Sequence, residues 1–288
     1  MIKKFLIFTA LALVLFSFKS DKKAYQIFDS NGKRMHYSQL LEAAKNSDVI
    51  LFGEYHDNPI DHWLEQELTK DLFADVKENL VLSAEMFEAD DQIILDEYLS
   101  GDVSEKTLKD EAKLWSNFPS DYKPLLDFAK QNKLKFVAAD IPRRYASMVY
   151  SKGLEKLDSI NPEAKKWIAP LPIPYVDTLK CYADIFKQAG GHGGKNLPKS
   201  QAIKDATMAY FILKNYAPGK KLIHFNGSYH SDWHQGVEWY LKQSNPSLKV
   251  LTIASAEQDS VEKLDKENLG LANFIICTPN SMSKTFRQ

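Results

Sequence analysis

The stretch "DVILFGEYHD", residues 48–57, decides how this chain is read. Its first half is apolar without alternation, the pattern of a strand buried on both faces of a parallel sheet. Gly53 then allows a sharp turn, and a carboxylate, a phenol, an imidazole and a second carboxylate follow in consecutive positions. Beyond them Asn58 is placed to cap a helix, with Pro59 at its first position and Asp61 completing a capping-box-like signal. Ile60, Trp63, Leu64, Leu68 and Leu72 recur at three- and four-residue spacing and predict one apolar stripe. Strand, polar turn and helix in that order make the first half of a βαβ unit.

The same grammar recurs along the chain. "NLVLSAEMF" (79–87), "KLKFVAAD" (133–140), "KKLIHF" (220–225), "LKVLTIA" (248–254) and "NFIIC" (273–277) read as further buried strands. "ADDQIILDEYLSGD", "SEKTLKDEAKLW" and "YKPLLDFAKQN" read as helices between them. "YQIFDSNGKRMHY" (25–37) alternates around Asn31-Gly32, the preferred type I′ dipeptide, and predicts a β-hairpin. Residues 145–217 are mainly helical but interrupted by "PLPIP" and "GGHGG", which reads as a helical insertion. The expectation is an α/β fold: a mostly parallel central sheet flanked by helices, with that insertion and an N-terminal hairpin, in a single domain over residues 24–288.

Composition narrows the function. Lys+Arg at 37 against Asp+Glu at 38 gives no electrostatic case for a nucleic-acid partner. At the N-terminus, Lys3 and Lys4 precede an apolar run of 14 residues (5–18), and "KSDKKAY" is abruptly polar. A bilayer span needs about 20 residues, so residues 1–23 read as a signal peptide for export to the periplasm, or as an N-terminal membrane anchor. No cysteine lies near a cleavage site, so the chain does not read as a lipoprotein. Cys181 and Cys277 permit one disulfide and do not require it.

The strand ends carry the chemistry. "FNGSYHSD" (225–232) repeats the Gly-x-Tyr-His of the first corner, and a parallel sheet collects ligands at the carboxyl ends of its strands. Reading past each strand gives Glu54 and His56, then Glu85, then Arg143 and Arg144, then His230 with His234 a turn later. Glu54, His56, Glu85, Arg144 and His230 are therefore candidates for one cluster. Two chemistries fit it. His56, Glu85 and His230, with His234 as a further donor, suit a divalent metal such as Zn, Mn or Co. Alternatively one histidine acts as a general base on water, held by a carboxylate, while Arg144 faces a substrate anion. His36, His62 and His224 read as hydrogen-bonded spacers, and Glu88, Asp90 and Asp91 as solvated acids at a helix start. Tyr55 and Tyr229 read as packing rings with a hydroxyl at the rim, and His192 among four glycines as a loop tip or a ligand.

The G-E-x-H corner, "SAEMFE", "ADIPRR" and the later G-x-x-H corner together resemble the ChaN-like haem-binding uptake family, within a superfamily of Tiki metalloproteases, TraB proteins and erythromycin esterases. "PLPIPY", "GGHGG" and "IKDATMAYFI" add to the resemblance. It implies haem bound without a covalent bond, a link to iron acquisition, and haem, an uptake machinery and a second copy of the chain as partners. It also implies an axial Tyr or His, from Tyr55, Tyr229 or His192, with Arg143 on the propionates and with Met208 beside His192 in the insertion. The superfamily equally implies a metal-dependent or His/Glu-assisted hydrolase acting on a peptide or ester bond.

Overall fold

The structure is a computed structural model that describes residues 22–188 and 194–286. All six apolar runs become strands: β3 (Val49–Glu54), β4 (Leu80–Glu88), β5 (Lys135–Asp140), β6 (Lys221–Gly227), β7 (Val250–Gln258) and β8 (Phe274–Pro279). β1 (Gln26–Asp29) and β2 (Arg34–Met35) form the hairpin, which joins β8 antiparallel. The sheet order is β2-β1-β8-β7-β3-β6-β4-β5, and the last six of these run parallel.

The lack of alternation has its expected cause. Ile50, Phe52, Leu82, Phe136 and Phe225 point into one apolar layer, while Val49, Leu51, Val81, Val137 and Leu222 point into the other. One face is covered by α1 (Tyr37–Lys45), α2 (Pro59–Val76), α3 (Gln92–Ser100) and α5 (Lys123–Asn132). α4 (Glu105–Glu111) packs on α3. The other face is covered by α8 (Asn196–Asn215) and α9 (Val237–Ser244), with α6 (Arg143–Lys152) packed on α8. Each fully buried Leu in these layers contributes about 1.5–3 kcal/mol.

Several local expectations change. The hairpin does not use a two-residue loop: Gly32 N donates to Asp29 O, Asp29 N donates to Lys33 O, and only Gly32 takes a positive φ, of 79°. Asp29 Oδ1 accepts from the Asn31 and Lys33 amides, which favours this longer turn. Asn58 caps α2 as predicted, accepting from Ile60 N at 3.0 Å. Asp61 closes no capping box; its Oδ2 accepts from Tyr55 N at 2.9 Å and pins the corner instead. The stripe on α2 is also narrower than predicted. Leu64, Leu68 and Leu72 are buried, but Trp63 is 46% exposed against Tyr25. Asp61, His62, Glu65 and Thr69 turn inward beside the leucines.

Within the helical stretch, α6, short 3-10 turns and α7 (Lys180–Gln188) precede α8. Met208 on α8 is fully buried in the core layer, so it faces packing rather than a ligand. Cys181 and Cys277 are both free thiols, buried in separate apolar clusters.

Candidate functional site

β3, β6, β4 and β5 are consecutive neighbours, so their carboxyl ends meet although they are far apart in the chain. Glu54 pairs in register with Gly227. Between them opens a cavity of about 510 Å³, lined by Glu54, Tyr55, His56, Gly227, Tyr229 and His230 among others. Glu85 enters from β4, where the register to β5 shifts between Ala84 and Glu88. Such an irregularity re-aims side chains beside a site.

The two glycines serve close approach and not an unusual turn. Gly227 has an ordinary φ of −56°. A Cβ there would lie 2.7 Å from His56 Nε2 and 3.5 Å from Glu85 Oε2. A Cβ on Gly53 would lie 2.9 Å from the Ile253 carbonyl oxygen, Ser228 Cα and Ser231 Oγ. Side chains at either position would push the two corners apart.

His56 is held from one side. Its Nδ1 donates to Glu54 Oε1 at 2.7 Å, and Tyr122 OH donates to the same oxygen at 2.8 Å. Trp115 packs edge-on against the ring at 4.7 Å. Asn117 holds the His56 carbonyl oxygen at 3.0 Å. Nε2 is left facing the cavity beside Gly227 and Glu85. Burial alone would lower the His56 pKa, but the Glu54 hydrogen bond and the Glu85 charge bring it above the ordinary value. Burial would raise the pKa of Glu54, yet the hydrogen bond from His56 and the neighbouring His62 ring hold it below the usual carboxylate range.

His230 is held from both sides. Nδ1 meets Asp205 Oδ1 at 2.5 Å, and Nε2 meets Glu85 Oε1 at 3.2 Å. Two carboxylates require both nitrogens to donate, so this ring is an imidazolium. Burial opposes that charge, but Glu85 and Asp205 raise its pKa to about 10. Lys204 on α8 adds a second cation, 3.3 Å from both Glu85 Oε1 and Asp140 Oδ2. Gly227 N also donates to Glu85 Oε2 at 2.8 Å. Against the burial that raises it, Glu85 is thus kept well below the ordinary range by His230 and Lys204. Tyr182 OH completes the chain of contacts on Asp205 at 2.7 Å.

The structure therefore brings Glu54, His56, Glu85 and His230 together, and it leaves Arg144 elsewhere. Arg144 is 45% exposed, donates to Asp90 at 2.6 Å and lies over the Tyr145 and Trp167 rings. With Arg143 it lines a separate cleft of about 860 Å³ beside Trp115 and Phe286. Asp90 and Asp91 are ion-paired acids bound by Lys113, at 2.9 and 2.7 Å, rather than solvated ones. His234 pairs with Glu238 at 2.8 Å and is not among the residues lining the cavity. With both nitrogens of His230 committed, His56, Glu85, His230 and His234 do not form a shared set of free donors. Tyr229 donates its hydroxyl to the Cys181 carbonyl oxygen at 2.6 Å, while Tyr55 is 36% exposed at the rim. His192 lies outside the described residues, as does most of the 1–23 segment. His36 caps α1, and His224 is a buried strand residue bonded to Ser83.

The strand-end pattern does not point to Tyr122, Asn117, Tyr182, Lys204 or Asp205, nor to the burial of His62. One signal was available for Lys204 and Asp205: an adjacent cation and anion in "AIKDATMAYFIL", an otherwise apolar helix, need buried partners. No helix among the described residues is long and apolar enough to cross a membrane.

Chemically, the cavity offers one imidazole lone pair with a fixed tautomer opposite a fixed cation. Comparison with known proteins gives this arrangement a family. Residues 40–241 match the model described as haem-binding uptake, Tiki superfamily, ChaN. The chain belongs to that family. Among solved structures, ChaN of Campylobacter jejuni, described with cofacial haem binding, is similar at 18% identity and a TM-score of 0.66, covering 88% of this chain and 96% of that one. A Bacillus cereus protein is similar at 11% identity and a TM-score of 0.52, covering 92% and 97%. A succinoglycan biosynthesis protein is similar at 11% identity and a TM-score of 0.51, covering 86% and 92%. These likenesses concern the fold. Among curated proteins none matches. The description of that family names haem as its ligand.

Proposed function

We propose that this chain is an exported haem-binding protein serving iron or haem acquisition, and that haem enters a slot between α7 and α8. The observation that carries this reading is the slot itself. It holds about 430 Å³, with Tyr175, Tyr182, Ala183 and Pro198 on its wall and Lys187, Lys195 and Lys199 around it against one acid, Asp177. That volume falls within the range of small-molecule sites, about 300–1,000 Å³. Haem asks for an apolar slot, one axial donor and cations for two propionates, and tyrosinate is an accepted ligand of ferric haem. Tyr175 fits the donor role: it is half-buried on the wall, and among the described residues its hydroxyl has no hydrogen-bond partner. Tyr229 fits it poorly because its hydroxyl is already committed to Cys181. The basic start and short apolar run before residue 22 support export.

Hemin titration of the purified full chain tests this. A saturable Soret shift is expected, and Tyr175→Phe is expected to weaken binding at least tenfold while His56→Ala leaves it within about twofold. A Soret response unaltered by Tyr175→Phe and abolished by His56→Ala overturns the slot assignment.

A second reading has its own observation. His56 faces the 510 Å³ cavity with a free Nε2, its tautomer set by Glu54, opposite the His230 imidazolium. A water bound there would meet a base and a cation fit to stabilise developing negative charge, which is the arrangement of a hydrolase. Turnover of an ester or peptide that is lost in His56→Ala would support it.

A further inference from the structure

Behind the His56 corner lies a group of side chains that the haem slot does not use. Glu54, Asp61, His62 and Glu65 are all at most 4% exposed. His62 Nε2 lies 3.1 Å from the His56 carbonyl oxygen, an acceptor only, so Nε2 carries a proton. Nδ1 then faces two more acceptors, Glu54 Oε2 and Glu65 Oε2, each at 3.3 Å. A lone pair aimed at two carboxylate oxygens is repulsive unless a cation lies among them. The spacing exceeds the about 2.7–2.9 Å of a closed charge-assisted N–H···O bond, although a second proton on Nδ1 would still reach Glu65 at 3.3 Å. It is right for donors around an ion: corners about 2.0–2.1 Å from the centre of a tetrahedron are about 3.3–3.4 Å apart, and that radius is the zinc–nitrogen or zinc–oxygen distance.

Independent of these distances, Glu54 Oε2, Glu65 Oε1 and Asp61 Oδ1 are buried with no hydrogen-bond partner among the described residues. Buried carboxylate oxygens are ordinarily paired or bound to a metal. One donor atom each from Glu54, His62 and Glu65 lies within 4.8 Å of the others.

The geometry points to a buried divalent transition-metal site at Glu54, His62 and Glu65, with Asp61 beside it. One imidazole and carboxylates suit zinc, cobalt or manganese. The Nε2–H bond to the His56 carbonyl is the outer contact that fixes a histidine ligand's tautomer. Glu54 would serve the ion through Oε2 and His56 through Oε1, so the ion would order the corner on which the cavity is built. This displaces the metal expectation from His56, Glu85 and His230 to a pocket one layer deeper.

The test uses the full chain, unfolded with a chelator and refolded with Co(II), which removes any barrier to entry. Retention of one equivalent after gel filtration is expected, with the intense visible bands of low-coordinate Co(II) and a raised thermal midpoint. His62→Gln and the isosteric Glu65→Gln are expected to bind at least tenfold more weakly with a native circular dichroism spectrum. His56→Gln and Tyr175→Phe are expected to retain the ion, so loss of haem binding and loss of metal binding are separable results. No retained cobalt, or cobalt lost with His56→Gln and kept with His62→Gln, overturns the assignment.

Discussion

At the end of β3, His56 gives one nitrogen to Glu54 and keeps the other for the cavity. At the end of β6, His230 gives both nitrogens to carboxylates and is almost entirely buried. The letters around the two rings are nearly the same, and the difference comes from distant parts of the chain. Tyr122 and Trp115 reach the first ring from segments beside α5; Asp205 and Lys204 reach the second site from α8. A short motif sets where a histidine stands, and its neighbours in space set whether it is a base or a cation.

The most forceful way to break this comparison is to remove each ring in turn. His230→Ala leaves Glu85 and Asp205 buried without their shared cation, a loss expected to cost about 3–5 kcal/mol. His56→Ala removes a ring that is 19% exposed and bonded at one nitrogen, and about 1 kcal/mol is expected. Urea unfolding measures both, and equal losses would contradict the difference. The same comparison has a pH signature. The His230 pKa is raised from 6.5 to about 10 in the folded state. Its stabilisation is therefore complete below pH 6.5 and is lost as pH rises through about 10. That alkaline slope is expected to shrink in His230→Ala and to survive in His56→Ala.

The glycines sharpen the comparison at the backbone. Gly53→Ala drives a methyl onto the Ile253 carbonyl and Ser228 Cα, both main-chain atoms, and a cost of about 1–3 kcal/mol is expected. At Gly227 the nearest atom is the His56 ring edge, which can swing aside. A smaller loss of stability is expected there, together with a shifted His56 imidazole titration by NMR. A greater loss at Gly227 than at Gly53 would mean that the His56 ring cannot move.

How much of this was legible beforehand follows from the range of each interaction. Strands and caps depend on neighbours along the chain, so "DVILF" and the Asn58 cap could be read directly. Strand order could not, and the adjacency of β3, β6 and β4 is what turns two corners and Glu85 into one site. The position of Arg144 after a strand predicts it inward. Asp90, Tyr145 and Trp167 draw it outward, and each of those contacts depends on packing that no local pattern encodes. His62 reads as a spacer in the sequence because helix periodicity marks only apolar faces, whereas its burial arises from a polar edge packed behind Glu54.

The finest distinction between the corners rests on one hydroxyl. Tyr122 OH donates to the Glu54 oxygen that also holds His56, and among the described residues no tyrosine hydroxyl bonds Glu85 in the corresponding way. Tyr122→Phe keeps the ring against Trp115 and His62 and deletes that bond together with the longer contact of the same hydroxyl to His56 Nδ1, at 3.4 Å. The loss of stability is expected to be about 1 kcal/mol. Glu54 Oε1 would then rely on His56 alone, so its hold on the Nδ1 proton tightens and the His56 pKa is expected to rise, with His230 unchanged. Imidazole resonances followed by NMR against pH separate the two rings. A Tyr122→Phe variant in which His230 moves and His56 does not would show that the corners are coupled through the sheet and do not act as separate halves of the site.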